Sequence, residues 1–387
     1  MIPNMGKINQ DVIKKILVIK LNALGDVLMT TPAISGIRRA FPEARIFCLV
    51  PADAVLLLEN NPDIDGIIPL DLPAIRKKGR INRFLKILSS AGQIRKMKFD
   101  AVFDFSGTMW AAWITGLSGA KYRIGFIYPH RWFCYNIGVR PDKARRGKNI
   151  TVRKVGEPVM YGVRNFHEYV KGFEHEVDHM LNLISATGIE LATPSGIKLH
   201  LTPEESTAAK RWLVEYGLGG NAHRIIGINL GVSNVKRTWG EDKFILLAKR
   251  LLENFNVVFI RGPMDNVTFK DRLDQFKSKD TKAVLIPDRS TLRETSAIIS
   301  QCAVFVTCDT LCLHMASGLG VPTVALFGPT SPGLYGPYGV ESRVIYTDIP
   351  CSPCFGYKCE NNLCMKGITV DEVEEAIYSL LEGVKVK

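Results

Sequence analysis

The chain has 387 residues, of which 46% are hydrophobic and 23% are charged, and its formal net charge is +12. This composition excludes a disordered or fibrous protein, and the length fits two domains of ordinary size. No run approaches the roughly 18 to 20 consecutive apolar residues that span a bilayer. The N-terminus also lacks the apolar core of a signal peptide, so a cytoplasmic location is expected.

The excess of basic residues favours anionic partners, because long-range attraction raises their concentration near the surface. Phosphorylated sugars, anionic lipid headgroups and nucleic acid all fit the charge. Basic residues cluster in the first half, at residues 76–83, 140–148 and 153–154. These clusters form either a solvated surface or a face toward a membrane or an acidic substrate. They lack the interleaved aromatic residues of stacking platforms, so a nucleic-acid partner is not expected.

The first half alternates short apolar runs with helical periodicity. Ile16–Ile19 has the length of a strand, the loop Asn22–Asp26 follows it, and Val27–Phe41 has the spacing of a helix. Further strands are predicted at Arg45–Val50 and Ala101–Phe105, and further helices at Ala54–Asn60 and Asn82–Met97. This alternation is typical of βαβ units around a parallel sheet.

After a predicted helix at Tyr169–Thr187, the second half of the chain again alternates predicted strands and helices. Its strands are predicted at Ile225–Leu230, Val257–Arg261, Val304–Cys308 and Thr323–Phe327. Its helices are predicted at Lys243–Asn254, at Thr291–Gln301 and from Leu313 onward. The sequence therefore predicts an α/β protein of two Rossmann-like, doubly wound domains in tandem.

The predicted N-terminal domain spans residues 1–188 and the C-terminal domain spans residues 189–365. Residues 366–387 contain an apolar stripe at helical spacing, formed by Val370, Val373, Ile377 and Leu381. An amphipathic helix must dock on another surface. We expect it to pack back on the N-terminal domain.

The loop after the first predicted strand carries Gly25 and Asp26, at the position where open α/β sheets bind ligands. Gly25 allows close approach of the backbone to a ligand or acceptor. Asp26 is either a helix cap or a general base that takes the proton of an acceptor hydroxyl. The loop has a single glycine rather than a dinucleotide fingerprint, so NAD binding is not expected.

Asp309 and Thr310 follow the predicted strand Val304–Cys308 and lead into a helix that carries His314. The free N–H groups of that helix, together with the Thr310 hydroxyl, suit a diphosphate. The alternative interpretations are an N-cap pair for Asp309 and Thr310 and a core histidine for His314.

Two other strand ends in the second half carry polar residues. Ser233, Lys236 and Arg237 follow the first strand of that half, and the two cations suit the charge of a leaving diphosphate. A solvated loop would look similar. Asp265 follows the next strand and is either a carboxylate for a ribose hydroxyl or a turn residue.

Four of the nine cysteines lie close together near the C-terminus, namely Cys351, Cys354, Cys359 and Cys364. Four thiols at such short spacing could hold one structural, tetrahedral zinc ion. A disulfide or redox-sensitive pair and reduced packing cysteines are the alternatives. The other five cysteines lie mostly in apolar strand contexts that are typical of reduced core thiols.

Three segments, in order along the chain, resemble glycosyltransferase family 9, the ADP-heptose:lipopolysaccharide heptosyltransferases. They are Lys20–Ala33, Lys236–Trp239, and Asp309–His314 with the loop that reaches Thr330. The resemblance implies a GT-B fold, in which two Rossmann-like domains face a cleft and the C-terminal domain holds the nucleotide. It also implies metal-independent, inverting transfer of heptose from ADP-heptose to the inner core of a lipid A-linked oligosaccharide, without a required cofactor.

The same resemblance implies that Asp26 is the base and that Thr310, Leu311 and His314 contact the diphosphate and ribose. One of the two cations, Lys236 or Arg237, would face the phosphates; the family often has its cation two places before the tryptophan, which is Arg237. Leu311 replaces the family's usual glycine, so its side chain crowds the approach of a phosphate. The acceptor implied is membrane-bound, which places the enzyme at the inner face of the cytoplasmic membrane as a peripheral protein.

Two other functions fit the same two-domain shape. A nucleotide-sugar epimerase would need carboxylates and histidines clustered in the cleft, whereas the first domain offers chiefly Asp26. A non-catalytic, nucleotide-sugar-binding paralogue would be expected to have lost the base, which is present. The sequence therefore favours a glycosyltransferase.

Overall fold

The computed structural model of the chain describes residues 8–72, 80–128, 130–139, 159–162, 174–191, 195–218, 224–231, 235–261, 283–286, 290–355, 359 and 361–383. The chain divides into two compact units. The first comprises Met1–Arg146 with Glu176–Lys198, and the second comprises Gly147–His175 with Leu199–Lys387. The chain thus passes between the units after residues 146, 175 and 198, whereas the sequence predicts boundaries after residues 188 and 365.

The described part of the first unit is built on a six-stranded parallel sheet in the order β3-β2-β1-β4-β5-β6. Its strands are β1 (Lys15–Ile19), β2 (Arg45–Pro51), β3 (Gly66–Leu70), β4 (Ala101–Asp104), β5 (Tyr122–Phe126) and β6 (Ile137–Val139). This is the strand order of a Rossmann sheet, which binds ligands beyond the carboxyl ends of its strands where the order reverses. In this unit the reversal lies between β1 and β4.

The helices described in the first unit are α1 (Leu24–Leu28), α2 (Thr31–Ala40), α3 (Val55–Leu58), α4 (Arg80–Lys96), α5 (Met109–Leu117) and α6 (Glu176–Ser185). The sequence predicts a single helix at Val27–Phe41, but the chain forms α1 and α2 there. Pro32 lies in the first turn of α2, where its missing N–H needs no partner. The hydroxyls of Thr30 and Thr31 bind carbonyls of α1, which helps to end that helix.

The second unit repeats the pattern. Its described sheet has the order β10-β9-β8-β11-β12-β13-β7, and β7 alone among these strands runs antiparallel to its neighbour. The strands are β7 (Val159–Gly162), β8 (Ile225–Asn229), β9 (Asn256–Ile260), β10 (Ala283–Leu285), β11 (Val304–Cys308), β12 (Thr323–Phe327) and β13 (Ser342–Tyr346). The predicted fold class, two doubly wound α/β units as in GT-B enzymes, is therefore confirmed.

The helices described in the second unit are α7 (Pro203–Glu215), α8 (Glu241–Leu251), α9 (Leu292–Ile299), α10 (Leu311–Gly318), α11 (Pro332–Tyr335), α12 (Leu363–Lys366) and α13 (Val370–Gly383). Threonine side chains cap α7 and α9, because Thr202 and Thr291 each accept the N–H of a glutamate three residues later. Of the helices described, none has both the length and the hydropathy that crossing a bilayer requires.

The terminal helix α13 packs in the core of the second unit. Val373, Ile377 and Leu380 are fully buried in the same cluster as residues of β11, β12 and β13. The helix was expected to pack on the N-terminal domain, but its described contacts are with the second unit. Helical periodicity identifies an apolar stripe without identifying the surface that covers it.

Replacing Leu380 by alanine removes a fully buried side chain and leaves a cavity. We expect the free energy of unfolding to fall by about 2–5 kcal/mol in urea titrations. Hydrogen exchange should accelerate in β11 and β12 and stay unchanged in β1 of the first unit. The matched control is Glu375→Ala at an exposed position of the same helix, expected within about 0.5 kcal/mol of the parent. Faster exchange in β1 alone would contradict this packing.

Candidate active site

Gly25 and Asp26 lie in α1, directly beyond the carboxyl end of β1. The carboxylate Oδ2 of Asp26 accepts the backbone N–H of Ala23 at 3.2 Å, so this side chain caps the first turn of the helix. Asp26 is half-buried rather than enclosed. The cap therefore leaves part of the residue open to other molecules, at the strand end where doubly wound sheets bind their ligands.

A buried ion pair holds the backbone that leads to Asp26, and sequence reasoning missed it. Lys20 follows β1 and is 1% exposed. Its Nζ donates to Glu176 Oε1 at 2.8 Å and to the Phe105 carbonyl at 3.2 Å. The hydroxyl of Ser106 accepts the N–H of Leu21 at 2.7 Å. The start of the Asp26 loop is thereby tied to the ends of β4 and α6; a lysine directly after an apolar strand was the available signal.

A buried carboxyl group lies at the end of β4, next to β1. The hydroxyl of Tyr135 donates to Asp104 Oδ2 at 2.7 Å, and the N–H of Ser106 donates to Oδ1 at 2.8 Å. Burial raises the pKa of Asp104 to about 6, although both hydrogen bonds oppose the rise because they favour the charged form. Asp104 therefore titrates close to neutrality inside the first unit.

In the second unit, Asp309 follows β11 and is 6% exposed. Its Oδ2 lies 3.1 Å from Arg237 Nη1, and the same nitrogen donates to the Asp309 carbonyl at 3.4 Å. Burial raises the pKa of Asp309, and the positive charge of Arg237 counteracts that rise. The structure thus brings together two residues that are far apart in sequence. Removing one partner of such a pair leaves an uncompensated charge.

Thr310 is the residue before α10, and its backbone is extended. Its side chain does not cap the helix; its Oγ1 accepts a hydrogen bond from Asn229 Nδ2 at 3.0 Å. Leu311, the first residue of α10, is half-buried. The Thr310 carbonyl accepts the N–H of Leu313 at 3.2 Å, whereas the Thr310 hydroxyl caps none of the N–H groups of α10. The positive end of the dipole of this helix suits an anion.

His314 lies one turn into α10 and is buried. Burial lowers the pKa of His314 to about 4, so the ring is neutral near pH 7. Its Nδ1 has no hydrogen-bond partner within the residues that the structure describes. A buried polar atom without a hydrogen-bond partner lowers the stability of the protein, so a ligand that forms a hydrogen bond with it binds more tightly.

Comparisons with known proteins identify the family of this chain. The sequence profile of glycosyltransferase family 9 (heptosyltransferase) matches residues 151–365, which is more than half of the chain. The chain belongs to glycosyltransferase family 9. The family that the motifs resemble is thereby confirmed, and the protein is a glycosyltransferase.

A curated relative of this glycosyltransferase is lipopolysaccharide heptosyltransferase 1 of Pseudomonas aeruginosa, with 24% identity over 89% of this chain and 87% of the relative. A family 9 glycosyltransferase of Veillonella parvula has a similar fold, with a TM-score of 0.76, 24% identity and coverage of 96% of this chain and 98% of that one. An E. coli heptosyltransferase solved with ADP-2-deoxy-2-fluoro heptose gives a TM-score of 0.63, with 16% identity and coverage of 94% and 99%.

The structure of this family 9 enzyme describes only some of the predicted site residues. Lys236 is half-buried in the 3-10 turn Val235–Arg237, beside Arg237. Ser233 and Asp265 lie outside the described residues. The same holds for residues 140–148 and 153–154, and for most of the basic cluster at residues 76–83.

The predicted structural zinc site is not supported. None of the nine cysteines forms a disulfide, and the described residues contain no group of three or more His, Cys, Asp or Glu that could hold a metal ion. Cys364 is buried, with a pKa raised to about 11 chiefly by burial, whereas Cys351 and Cys354 are exposed. Cys359 Sγ accepts the N–H of Asn362 at 3.3 Å. Cys351, Cys354 and Cys359 lie near enough to Cys364 to raise its pKa further, but the described residues show no metal-binding arrangement of these thiols.

Replacing Tyr135 by phenylalanine removes a hydrogen bond that favours the charged form of Asp104, so the pKa of Asp104 should rise further above about 6. A raised folded-state pKa costs stability as the pH rises through it. In urea titrations, we expect the substitution to lower the free energy of unfolding by about 1–3 kcal/mol more at pH 8 than at pH 5. Tyr122→Phe, at a half-buried tyrosine of β5, should show no such pH dependence. Equal losses at both pH values would contradict the prediction.

Proposed function

We propose that this glycosyltransferase transfers heptose from ADP-heptose to the inner core of a lipid A-linked oligosaccharide of lipopolysaccharide. The observation that carries the proposal is the corner beyond β11, where Arg237 pairs with Asp309 beside Thr310 and the start of α10. Cations and helix N-termini bind diphosphates. The relatives described above, one named for lipopolysaccharide and one solved with an ADP-heptose analogue, support this donor and this acceptor class.

In the proposed donor site, the diphosphate contacts the first N–H groups of α10, the Thr310 hydroxyl and Arg237. Arg237 uses Nη1 on Asp309, and a guanidinium carries five N–H donors, so donors remain for phosphate oxygens. This supports Arg237 rather than Lys236 as the phosphate-facing cation. His314, kept neutral by burial, offers Nδ1 to the ribose or to the diphosphate.

Four further residues complete the proposal. Ser233 and Lys236 belong to the same loop as Arg237 and would extend the phosphate contacts, and Asp265 would bind a ribose hydroxyl. Leu311 would line the site with an apolar side chain where relatives have glycine. These assignments rest on the family motifs and on the position of each residue after a strand of the second sheet.

In the proposed reaction, the acceptor hydroxyl oxygen attacks the anomeric carbon of heptose from the face opposite the diphosphate, which inverts that centre. The bond between the anomeric carbon and the diphosphate oxygen breaks, and its electron pair leaves with ADP. The carboxylate of Asp26 takes the hydroxyl proton. Arg237 and the amides of α10 stabilise the charge on the departing diphosphate, so the reaction needs no metal ion.

Asp26→Asn tests the role of the base. Asparagine keeps the size of the side chain and an oxygen that accepts the Ala23 N–H, but it does not take up a proton near neutral pH. We expect kcat with ADP-heptose and an inner-core acceptor to fall by about 10²-fold or more. ADP affinity, measured by calorimetry, should stay within twofold.

Asp53→Asn, at an exposed acid of the same unit, is the matched control and should keep full activity. Wild-type turnover by Asp26→Asn would remove Asp26 from the mechanism. Loss of ADP affinity in that variant would instead place Asp26 in the donor site.

A lipid-linked acceptor requires contact with a membrane, and we propose that the first unit makes it peripherally, at the inner face of the cytoplasmic membrane. Trp132 and Phe133 are 49% and 55% exposed in a short turn. Phe133 contacts Trp113 of α5, and Met109 of the same helix is 42% exposed. The guanidinium of Arg131 lies over the ring of Tyr128 at 4.0 Å. Exposed tryptophans and arginines suit a lipid headgroup layer.

The double substitution Trp132→Ser with Phe133→Ser should lower co-sedimentation with vesicles of phosphatidylcholine and phosphatidylglycerol by about threefold or more, because it removes exposed apolar area. The control pair is Val214→Ser with Tyr216→Ser, two residues of similar exposure in the second unit. Equal losses for both pairs, or binding unchanged by the first, would contradict this membrane contact.

A further inference from the structure

A buried asparagine ends the central strand β8 of the second sheet. Asn229 is 2% exposed. Its Nδ2 lies 3.0 Å from Thr307 Oγ1, 3.0 Å from Thr310 Oγ1 and 3.1 Å from the carbonyl of Gly231. Its Oδ1 accepts the N–H of Gly231 at 3.2 Å. One amide therefore links the ends of β8 and β11 to the residue that precedes α10.

The orientation of this amide is fixed by its surroundings. The Gly231 N–H donates to the amide oxygen, so the NH₂ group faces the two threonine hydroxyls. Both hydroxyl oxygens are thus acceptors toward Asn229. Asn229 carries no distinctive signal in the sequence, because a single polar residue at the end of an apolar strand is common.

The direction of the Thr310 hydroxyl hydrogen follows from this arrangement. Thr307 donates its own hydroxyl hydrogen to the Cys308 carbonyl at 2.9 Å. Thr310 accepts from Asn229, so its hydrogen points away from the amide, either to Thr307 Oγ1 at 3.2 Å or to a ligand. A phosphate oxygen is the stronger acceptor of these two, because its hydrogen bond is charge-assisted.

We propose that Asn229 is a positioning residue for the donor diphosphate. By donating to Thr310 Oγ1, it turns the Thr310 hydroxyl into a hydrogen-bond donor aimed at a phosphate oxygen. Asn229 acts through Thr310 and does not itself touch the substrate. The inference rests on the donor site proposed above, and it adds a residue that none of the family motifs contains.

Asn229→Asp tests the proposal because it changes the side chain by a single group. A carboxylate accepts hydrogen bonds and donates none. The Thr310 hydroxyl would then donate its hydrogen to this carboxylate. The lone pairs of the hydroxyl oxygen would face the phosphate, and the negative charge of the carboxylate would also repel the phosphate. Asn229→Ala removes the donor without adding a charge.

ADP affinity is measured by calorimetry at pH 8, with the full chain. Hydrogen bonds to charged groups are worth about 1.5–3 kcal/mol, so Asn229→Asp should weaken ADP binding by about 10-fold to 100-fold. Asn229→Ala should weaken it by a smaller factor. Adenosine, which lacks the diphosphate, should bind all variants alike.

A double-mutant cycle with Thr310→Val separates positioning from a structural role. In the Thr310→Val background, Asn229→Ala should have no further effect on ADP affinity, because the hydroxyl through which it acts is gone. Additive losses would overturn the proposal. The comparison uses affinities of folded protein, so a general loss of stability does not imitate the coupling.

The matched control is Asn256→Asp, which places the same carboxylate in the same sheet. Asn256 is 4% exposed and is the first residue of β9. It pairs with Ile225 at the amino-terminal end of β8, whereas Asn229 lies at the carboxyl end. The ADP affinity of the Asn256→Asp variant should equal that of the parent protein. Failure of the parent to bind ADP refutes the proposed donor site itself, whereas normal ADP binding by both Asn229 variants refutes only the role of Asn229.

Discussion

The carboxyl ends of parallel strands lie along one edge of their sheet. Polar groups buried at that edge need hydrogen-bond or ion-pair partners within the protein. Both units meet this constraint where their strand order reverses. The first unit pairs Lys20 with Glu176 beneath the Asp26 loop. The second pairs Arg237 with Asp309 and links β8 to β11 through Asn229. These ion pairs and hydrogen bonds hold the strand ends that carry the candidate site residues.

The strands were largely predictable. Val304–Cys308 and Thr323–Phe327 have the predicted bounds, because each is a continuous apolar run between turn-forming residues. Two features were not predictable from periodicity alone. Val27–Phe41 keeps helical spacing across the break before Pro32, and the stripe of α13 does not reveal that the second unit covers it.

The candidate site was predictable in part. Asp26, Asp309 and Thr310 follow strands and belong to recognisable motifs, so their positions at strand ends could be inferred. The pairing of Arg237 with Asp309 joins residues from different strand ends, and nothing local in the sequence specifies it. The thiols show the opposite case, since closeness along the chain suggested a metal site that the described residues do not form. Burial and long-range partners are tertiary properties and have no local pattern.

We propose that the second unit binds ADP-heptose and that the enzyme transfers the sugar with inversion. The most direct measurement is incubation with ADP-heptose and a purified inner-core acceptor, followed by mass spectrometry and NMR of the product. The proposed reaction gives an acceptor heavier by one heptosyl group, with the anomeric configuration opposite to that of the donor, and it releases ADP without added metal. Retention of configuration, or transfer only from a donor other than ADP-heptose, would contradict it.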